Sequence, residues 1–337
     1  MSGFLQYLFD KIPPLQVSTI RGYRSAISAS IPEGLAITES TEISQLVKSF
    51  AAERPKVKKF VPQWHLNTVL SFLVSDKFEP LSQADPEFLT FKALFLILLA
   101  SGRRVSEVHS LVVDANCLRF NRDFSEAQLL TEPGFRAKNQ RPGDATEPIV
   151  IPALGSGLPA NSPTTLLCPV RALRAYLNWS NNSGIRGERR RVFIHFDPAK
   201  PKEIDTRQLA RWTSKLIQLA YQWKDSAVPE NVSFHCHEVR GLASSWAAYN
   251  NVAIDEIMRA AYWRTPTTFH DHYLKHLAAF SDGFYSAGPL VVAQSVIVPP
   301  GSRTSHLLTH GGLTTQRAVP LVPSTVTSSE ITEEASA

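Results

Sequence analysis

The side chains able to do chemistry gather in one stretch, His235 to Leu277, HCHEVRGLASSWAAYNNVAIDEIMRAAYWRTPTTFHDHYLKHL. His237 and Arg240 stand three apart, so on a helix they share a face. Trp263 and Tyr273 follow. A guanidinium is planar, always charged, and forks onto an anion. A phenol is a nucleophile once nearby cations help it lose a proton that otherwise titrates near ~10. Imidazole carries protons near neutral pH. One chemistry these residues offer is attack on a substrate anion held by arginine. The same stretch offers another, because His235, His237, His270, His272 and His276 are clustered imidazoles, the usual zinc ligands. Against zinc, no HExxH is present, Cys236 has no cysteine partner nearby, and no carboxylate sits in a ligand-like position. A stoichiometric metal assay separates the two.

Short helices must position these groups. Val239, Leu242, Ala243 and Trp246 form an apolar stripe beside His237 and Arg240. A second helix is expected over 254–261, with Asp255 and Glu256 favourable in its first turn. A third begins at Thr265-Pro266, a capping residue followed by the proline tolerated at the first helical position. Tyr273 then lies two turns into that helix.

HxxR, an aromatic residue, and a tyrosine in a final helix together resemble the catalytic block of tyrosine recombinases. The wording VRGLASSWAAYNNVAIDEIMRAAYWRTPTTFHDHYL is most similar to the enzymes of DIRS-type retrotransposons. The resemblance implies an arginine near the start of the catalytic domain and a lysine on a hairpin. LLASGRRVSEVHSL matches the family's glycine–any–arginine–aliphatic–Ser–Glu pattern and places that arginine on Arg104, with Arg103 its nearest rival. The bland alternative is a surface arginine pair at a helix start. LLTEPGFRAKNQRPGDATEPIVIPAL reads as an apolar stretch, a polar turn and a second strand. Lys138, near the turn end of the first strand, fits the hairpin lysine; Arg136 is second, and a solvated loop lysine is the plain alternative.

On the resemblance, Tyr273 attacks the phosphorus and forms a 3′-phosphotyrosine. Arg104 and Arg240 fork onto the non-bridging oxygens, a preorganised stabilisation of the kind that usually contributes most. Lys138 gives the leaving 5′ oxygen its proton. His237 hydrogen-bonds a phosphate oxygen or handles the tyrosine proton. Trp263 offers an N–H donor and a flat wall where many members have histidine. The tyrosyl ester keeps the bond energy for rejoining, so neither metal nor other cofactor is implied. There are departures from the pattern. The Trp263–Tyr273 spacing is one residue longer than in many bacterial relatives, which leaves His272 at the shorter spacing. Gly241 sits where many relatives have a second histidine, and Tyr262 and Tyr285 are rival nucleophiles.

Composition agrees with a DNA partner without requiring one. The 337 residues are 43% apolar, enough for a sizeable core, with a net charge of +5. A pI near 9.1 favours an anionic partner. Cys117, Cys168 and Cys236 form no CxxC pair, which suits a reducing compartment. The longest apolar run, 93–100, is too short to span a bilayer, and FLQYLFDKIPP does not read as a signal peptide. An intracellular protein is expected and, with the resemblance, a nuclear one with no membrane partner.

The fold class expected is mainly α with a small β-sheet: a tyrosine-recombinase catalytic domain after a partial helical core-binding domain. Residues 1–53 read as helices, one capped by Ser18 and running to Ser30, another carrying the stripe Ile43, Leu46, Val47 and Phe50. The resemblance makes them the C-terminal part of the DNA-clamping domain, with Met1 falling partway through it. Residues 54–62 form a basic linker with Arg54, Lys56, Lys58 and Lys59. Within the catalytic domain, 63–285, helices are expected from Trp64 to Val74, from Pro86 to Ala100 with a stop at Gly102, over CPVRALRAYLNWS, and from Thr206 to Trp223. LVVDANCLRF and Val192–Phe196 are expected strands. Arg186, Arg189, Arg190 and Arg191 crowd the loop before the second. Both basic clusters read either as solvated loops or as contacts to phosphates. Residues 286–337 form a Ser/Thr-rich tail, mostly disordered, that contains the apolar segment Leu290–Val298.

Three functions compete. The first is a site-specific recombinase or integrase that binds double-stranded DNA and assembles as a tetramer on paired sites, its tail packing in trans. The second is an inactive or truncated remnant that only binds DNA. The third is a topoisomerase sharing the chemistry. Nicked suicide substrates separate an active enzyme from a remnant by trapping a covalent adduct.

Overall fold

The computed structural model describes residues 1–32, 34–55, 64–138, 140, 147–200, 203–224 and 234–263, with only the backbone of Tyr249. The fold is mostly helical with one small sheet. Among the described residues two large apolar cores form, each within its own stretch of chain, besides a small cluster around Ala247 and Ile257.

The first belongs to α1 (Ser2–Asp10), α2 (Val17–Ser30), α3 (Gly34–Glu39) and α4 (Thr41–Glu53). Leu5, Leu8, Phe9, Ile20, Ile43, Val47 and Phe50 fill it. Phe9 and Phe50 stack at 4.2 Å. Helix α2 begins at Val17, one residue before the expected Ser18 cap, and no side chain caps it. In α4 the Ser40 hydroxyl does cap, accepting from the Ile43 amide.

The second core is built around α6 (Pro86–Ser101), whose side chains from Leu89 to Ser101 are all buried. An all-round apolar helix belongs at the centre of a fold, and α6 packs against α9 (Pro169–Asn182), α10 (Thr206–Trp223) and α11 (Cys236–Tyr249). Asp85 caps its start, Pro86 occupies the first turn, and Gly102 ends it at φ 58°, a left-handed conformation that glycine adopts without strain. Its one cation, Lys92, is fully buried; Nζ donates to the Leu73 carbonyl at 2.7 Å and to Glu79 Oε1 at 2.5 Å. Arg171 from α9 grips the same carboxylate with both Nη atoms, at 2.8 and 2.6 Å. Burial works to raise the Glu79 pKa, but Arg171 and Lys92 more than offset it and hold the carboxyl below its usual range. Burial pushes Lys92 down to about 8.

Helix α5 spans Leu66–Leu73 rather than starting at Trp64; Trp64 is buried ahead of it, its indole donating to Glu238 of α11 at 2.8 Å. The sheet is antiparallel, β1 (Leu118–Phe120), β2 (Glu126–Leu129) and β3 (Ile149–Pro152) in that order. Ala127 faces Ile151 and Leu129 faces Ile149 on the buried side. Only the end of LVVDANCLRF becomes a strand; Leu111 and Val112 make isolated bridges to Thr131 and Arg191. The expected strand over 192–196 is likewise absent. Val192, Phe193 and Ile194 are buried, which explains their apolar character, but pairing stops after the Val192 amide bonds Leu111. Among the described residues, no helix is long and apolar enough to cross a membrane.

Candidate active site

Helix α7 (Val105–His109) starts directly after the Gly102 turn and is opened by Arg104. Three residues on, Glu107 reaches back to accept from the Arg104 amide at 2.8 Å, which ties down the first turn. Glu107 is only 2% exposed. Three arginines surround it. Nη1 of Arg103 lies 3.6 Å from Oε1, Nη1 of Arg104 lies 3.9 Å from Oε2, and Nη1 of Arg240 lies 3.6 Å from the same Oε2. The fold thus brings the guanidiniums of Arg104 and Arg240, from α7 and α11, to one anionic oxygen.

Arg240 is 5% exposed, and Trp263 lies flat against it, the guanidinium carbon 3.7 Å from the ring centroid. Trp263 follows α12 (Ile254–Ala260), and its indole N–H points to Ser244 Oγ at 3.4 Å. Just before Trp263 the chain also comes close to Gly102, where a Cβ would sit 3.1 Å from the Ala261 methyl. Arg104 Nη1 is buried and meets no hydrogen-bond acceptor among the described residues. Such a cation is suited to an incoming anion.

The other candidates are placed as follows. His237 sits on α11 with Arg240, exposed, its ring stacked 5.3 Å from His235. Lys138 is exposed in the connection between β2 and β3. Tyr273 lies outside the described residues, as do Tyr285, the histidines at 270, 272 and 276, and Lys56, Lys58 and Lys59. Among the described residues no group of three His, Cys, Asp or Glu could hold a metal ion. Arg54 packs on the N-terminal core, 3.6 Å over Phe9.

The loop arginines divide. Arg186 is 6% exposed and its guanidinium turns inward, donating to Ser180 Oγ at 2.8 Å, the Arg191 carbonyl at 2.7 Å and the Val192 carbonyl at 2.9 Å. It clamps the loop from inside, whereas the sequence alone suggests a contact to phosphate. Arg189 stays nearer home, Nη1 donating to the Ile185 carbonyl at 2.7 Å. Arg190 pairs with Asp114, and Arg191 Nη2 pairs with Glu132 at 2.6 Å.

Glu107 and Ser244 touch the candidate residues Arg240 and Trp263, and the motifs do not single them out. The signal for Glu107 is its place in the first turn of a helix, where a glutamate can accept from the backbone amide that opens it.

No family model and no curated protein matches the chain. Among solved structures, XerH site-specific recombinase bound to palindromic difH substrate in a post-cleavage complex is 12% identical, with a TM-score of 0.49 over 85% of this chain and 67% of that one. XerH bound to difH in a pre-cleavage complex gives 12% and 0.47 over 81% and 66%, and XerA recombinase 14% and 0.42 over 84% and 85%. The chain therefore spans about two thirds of the length of the XerH chains.

Proposed function

We propose that this protein breaks and rejoins double-stranded DNA through a 3′-phosphotyrosine on Tyr273, as a site-specific recombinase. The observation that carries the reading is the convergence of Arg104 and Arg240 on Glu107 Oε2, at 3.9 and 3.6 Å, with Trp263 stacked on Arg240. Two fixed guanidiniums at one point can share the two non-bridging oxygens of a phosphodiester and stabilise the charge that grows there as it becomes five-coordinate. The phenol oxygen of Tyr273 forms the new bond to phosphorus while the bond to the 5′ oxygen breaks. Lys138 gives that oxygen a proton. His237, exposed on the same helix as Arg240, is available to the tyrosine proton or to a phosphate oxygen.

The sequence resemblance supports a finer reading: a recombinase of a DIRS-type retrotransposon, working in the nucleus, with residues 1–53 as part of a DNA clamp. It also supports a tetramer on paired sites in which Leu290–Val298 packs on a neighbouring copy. Deleting 288–337 is then expected to spare single-site cleavage and abolish the synaptic complex in native gels.

The deciding experiment is incubation with nicked suicide DNA, which traps a covalent protein–DNA adduct. The adduct is expected with wild type in chelator and absent with Tyr273→Phe, while DNA binding persists in both. If His272→Ala removes it and Tyr273→Phe does not, the nucleophile is misassigned. DNA binding with no adduct from wild type would instead indicate the binding-only remnant.

A further inference from the structure

Arg103 occupies the position at which the recombinase pattern tolerates any residue, yet it is among the most buried charges in the fold, with its side chain 8% exposed. Burial lowers its pKa, and the carboxylates of Glu107 and Glu147 act against that shift. Its guanidinium faces three separate segments. It pairs with Glu107 at 3.6 Å. Its carbon sits 5.0 Å from the ring centroid of Tyr262, the residue before Trp263, held at φ 54°. With Ala137 and Gln140 of the segment after β2 it lines a small pocket. Arg103 Nε is buried and meets no acceptor among the described residues. On the other wall, the Ala137 amide donates to Gln140 Oε1 at 3.1 Å, and the Gln140 amide to the Ala137 carbonyl at 2.9 Å. Those two bonds close a tight loop around Lys138.

We propose that Arg103 is a positioning residue: its buried guanidinium clasps the connection bearing Lys138 to the turn bearing Trp263, and so sets where the lysine ammonium reaches. The clasp deepens the recombinase reading, and the link to catalysis rests on it. As the tyrosine–phosphorus bond forms and the bond to the 5′ oxygen breaks, Lys138 gives up one proton and the alkoxide becomes a hydroxyl. A misplaced lysine slows only that proton transfer. A sulfur in place of the 5′ oxygen leaves as a stable thiolate, since thiols titrate near ~8.5, and needs no proton.

The test compares wild type, Arg103→Met and Gln140→Ala on suicide DNA with oxygen or sulfur at the scissile 5′ position. It also measures the rate of tryptic cleavage at Arg136 and Lys138 in the full chain. Arg103→Met is expected to slow adduct formation about 100-fold with oxygen, the scale of a lost general acid, and to leave the sulfur substrate near wild type with unchanged DNA affinity. Arg103→Lys is expected to fall between. Tryptic cleavage in Arg103→Met is expected to rise about tenfold, as for a segment whose opening has become easier. Gln140→Ala, a half-exposed site that does not endanger folding, is expected to show the same pattern at smaller size. Equal slowing on both substrates, or a tryptic rate unchanged in both folded variants, overturns the proposal. Should wild type form no adduct on either substrate, the recombinase reading fails, and the tryptic rates alone decide whether the clasp exists.

Discussion

Glu107 Oε2 lies 3.6 Å from Nη1 of Arg240, and each side chain is about 95% or more hidden from solvent. A buried carboxylate among three guanidiniums holds them in place, and without it they repel one another in a medium that screens poorly. Replacing it by Gln keeps the shape and removes the charge. Glu107→Gln is expected to cost about 3–5 kcal/mol in urea unfolding, the range for breaking a buried ion pair, and to lower adduct yield further than the stability loss explains. A loss below about 1 kcal/mol would show that Glu107 is a helix cap and little more.

A division of labour is expected in the Arg186–Arg191 loop. Arg186→Gln removes an internal clamp with three carbonyl or hydroxyl acceptors, and should lower Tm while leaving the salt dependence of DNA binding unchanged. Arg190→Gln, at a side chain 55% exposed, should leave Tm within a degree or two and reduce the slope of log K against log salt by about 1, if this loop meets phosphate. On that condition Asp114 would compete with DNA for Arg190, and Asp114→Asn should tighten binding at low salt. Unchanged slopes in both surface variants would make this face a solvated ion-pair network.

These contrasts show what could be read from residue order and what could not. The helix over Thr206–Trp223 was legible to the residue, because Asp205 caps it and one face alone is apolar. The stop at Gly102 was legible too, since a glycine after an apolar run fits the left-handed end of a helix. Arg186 was not: four arginines in six residues read as surface, and only the carbonyls of 191 and 192 curling back give one of them an interior. The apolar run after it has the composition of a strand, but burial without a pairing partner makes coil, and partners are set by tertiary position. Glu107 lay inside a recognised motif, yet its meeting with Arg240 joins segments far apart in the chain.

Lys92 predicts a pH signature. Its folded pKa is about 8 against an ordinary 10.5, so between those values the unfolded chain binds more protons than the folded one. Stability contributed by this group therefore rises with pH across that window, by about 2 kcal/mol from pH 7 to 9.5. Cys236, pushed by burial to about 11, opposes the rise above pH 9 in wild type and variant alike. Subtracting the urea stability of Lys92→Met at each pH isolates the lysine, and a flat difference would mean that it stays protonated in the folded state across the whole window. At the acid end Glu79 acts in the usual sense: its stabilisation is present above about 4.5 and is lost as pH falls through its lowered pKa.

The stack of Trp263 on Arg240 separates packing from catalysis. A desolvated cation–π contact contributes about 2 kcal/mol, or about 30-fold in rate if it acts only in holding Arg240 to the phosphate. Trp263→Phe keeps a ring at the same place and loses the indole N–H with its weak 3.4 Å bond to Ser244. Trp263→Ala removes the ring and leaves a void beside Arg240 and Ser244. If the ring orients Arg240, adduct formation should fall about threefold or less in the Phe variant and about 30-fold in the Ala variant, with DNA affinity nearly unchanged. If the indole N–H itself contacts the reacting phosphate, the Phe variant should fall as far as the Ala variant. Trp263→His should then recover the activity that Phe does not.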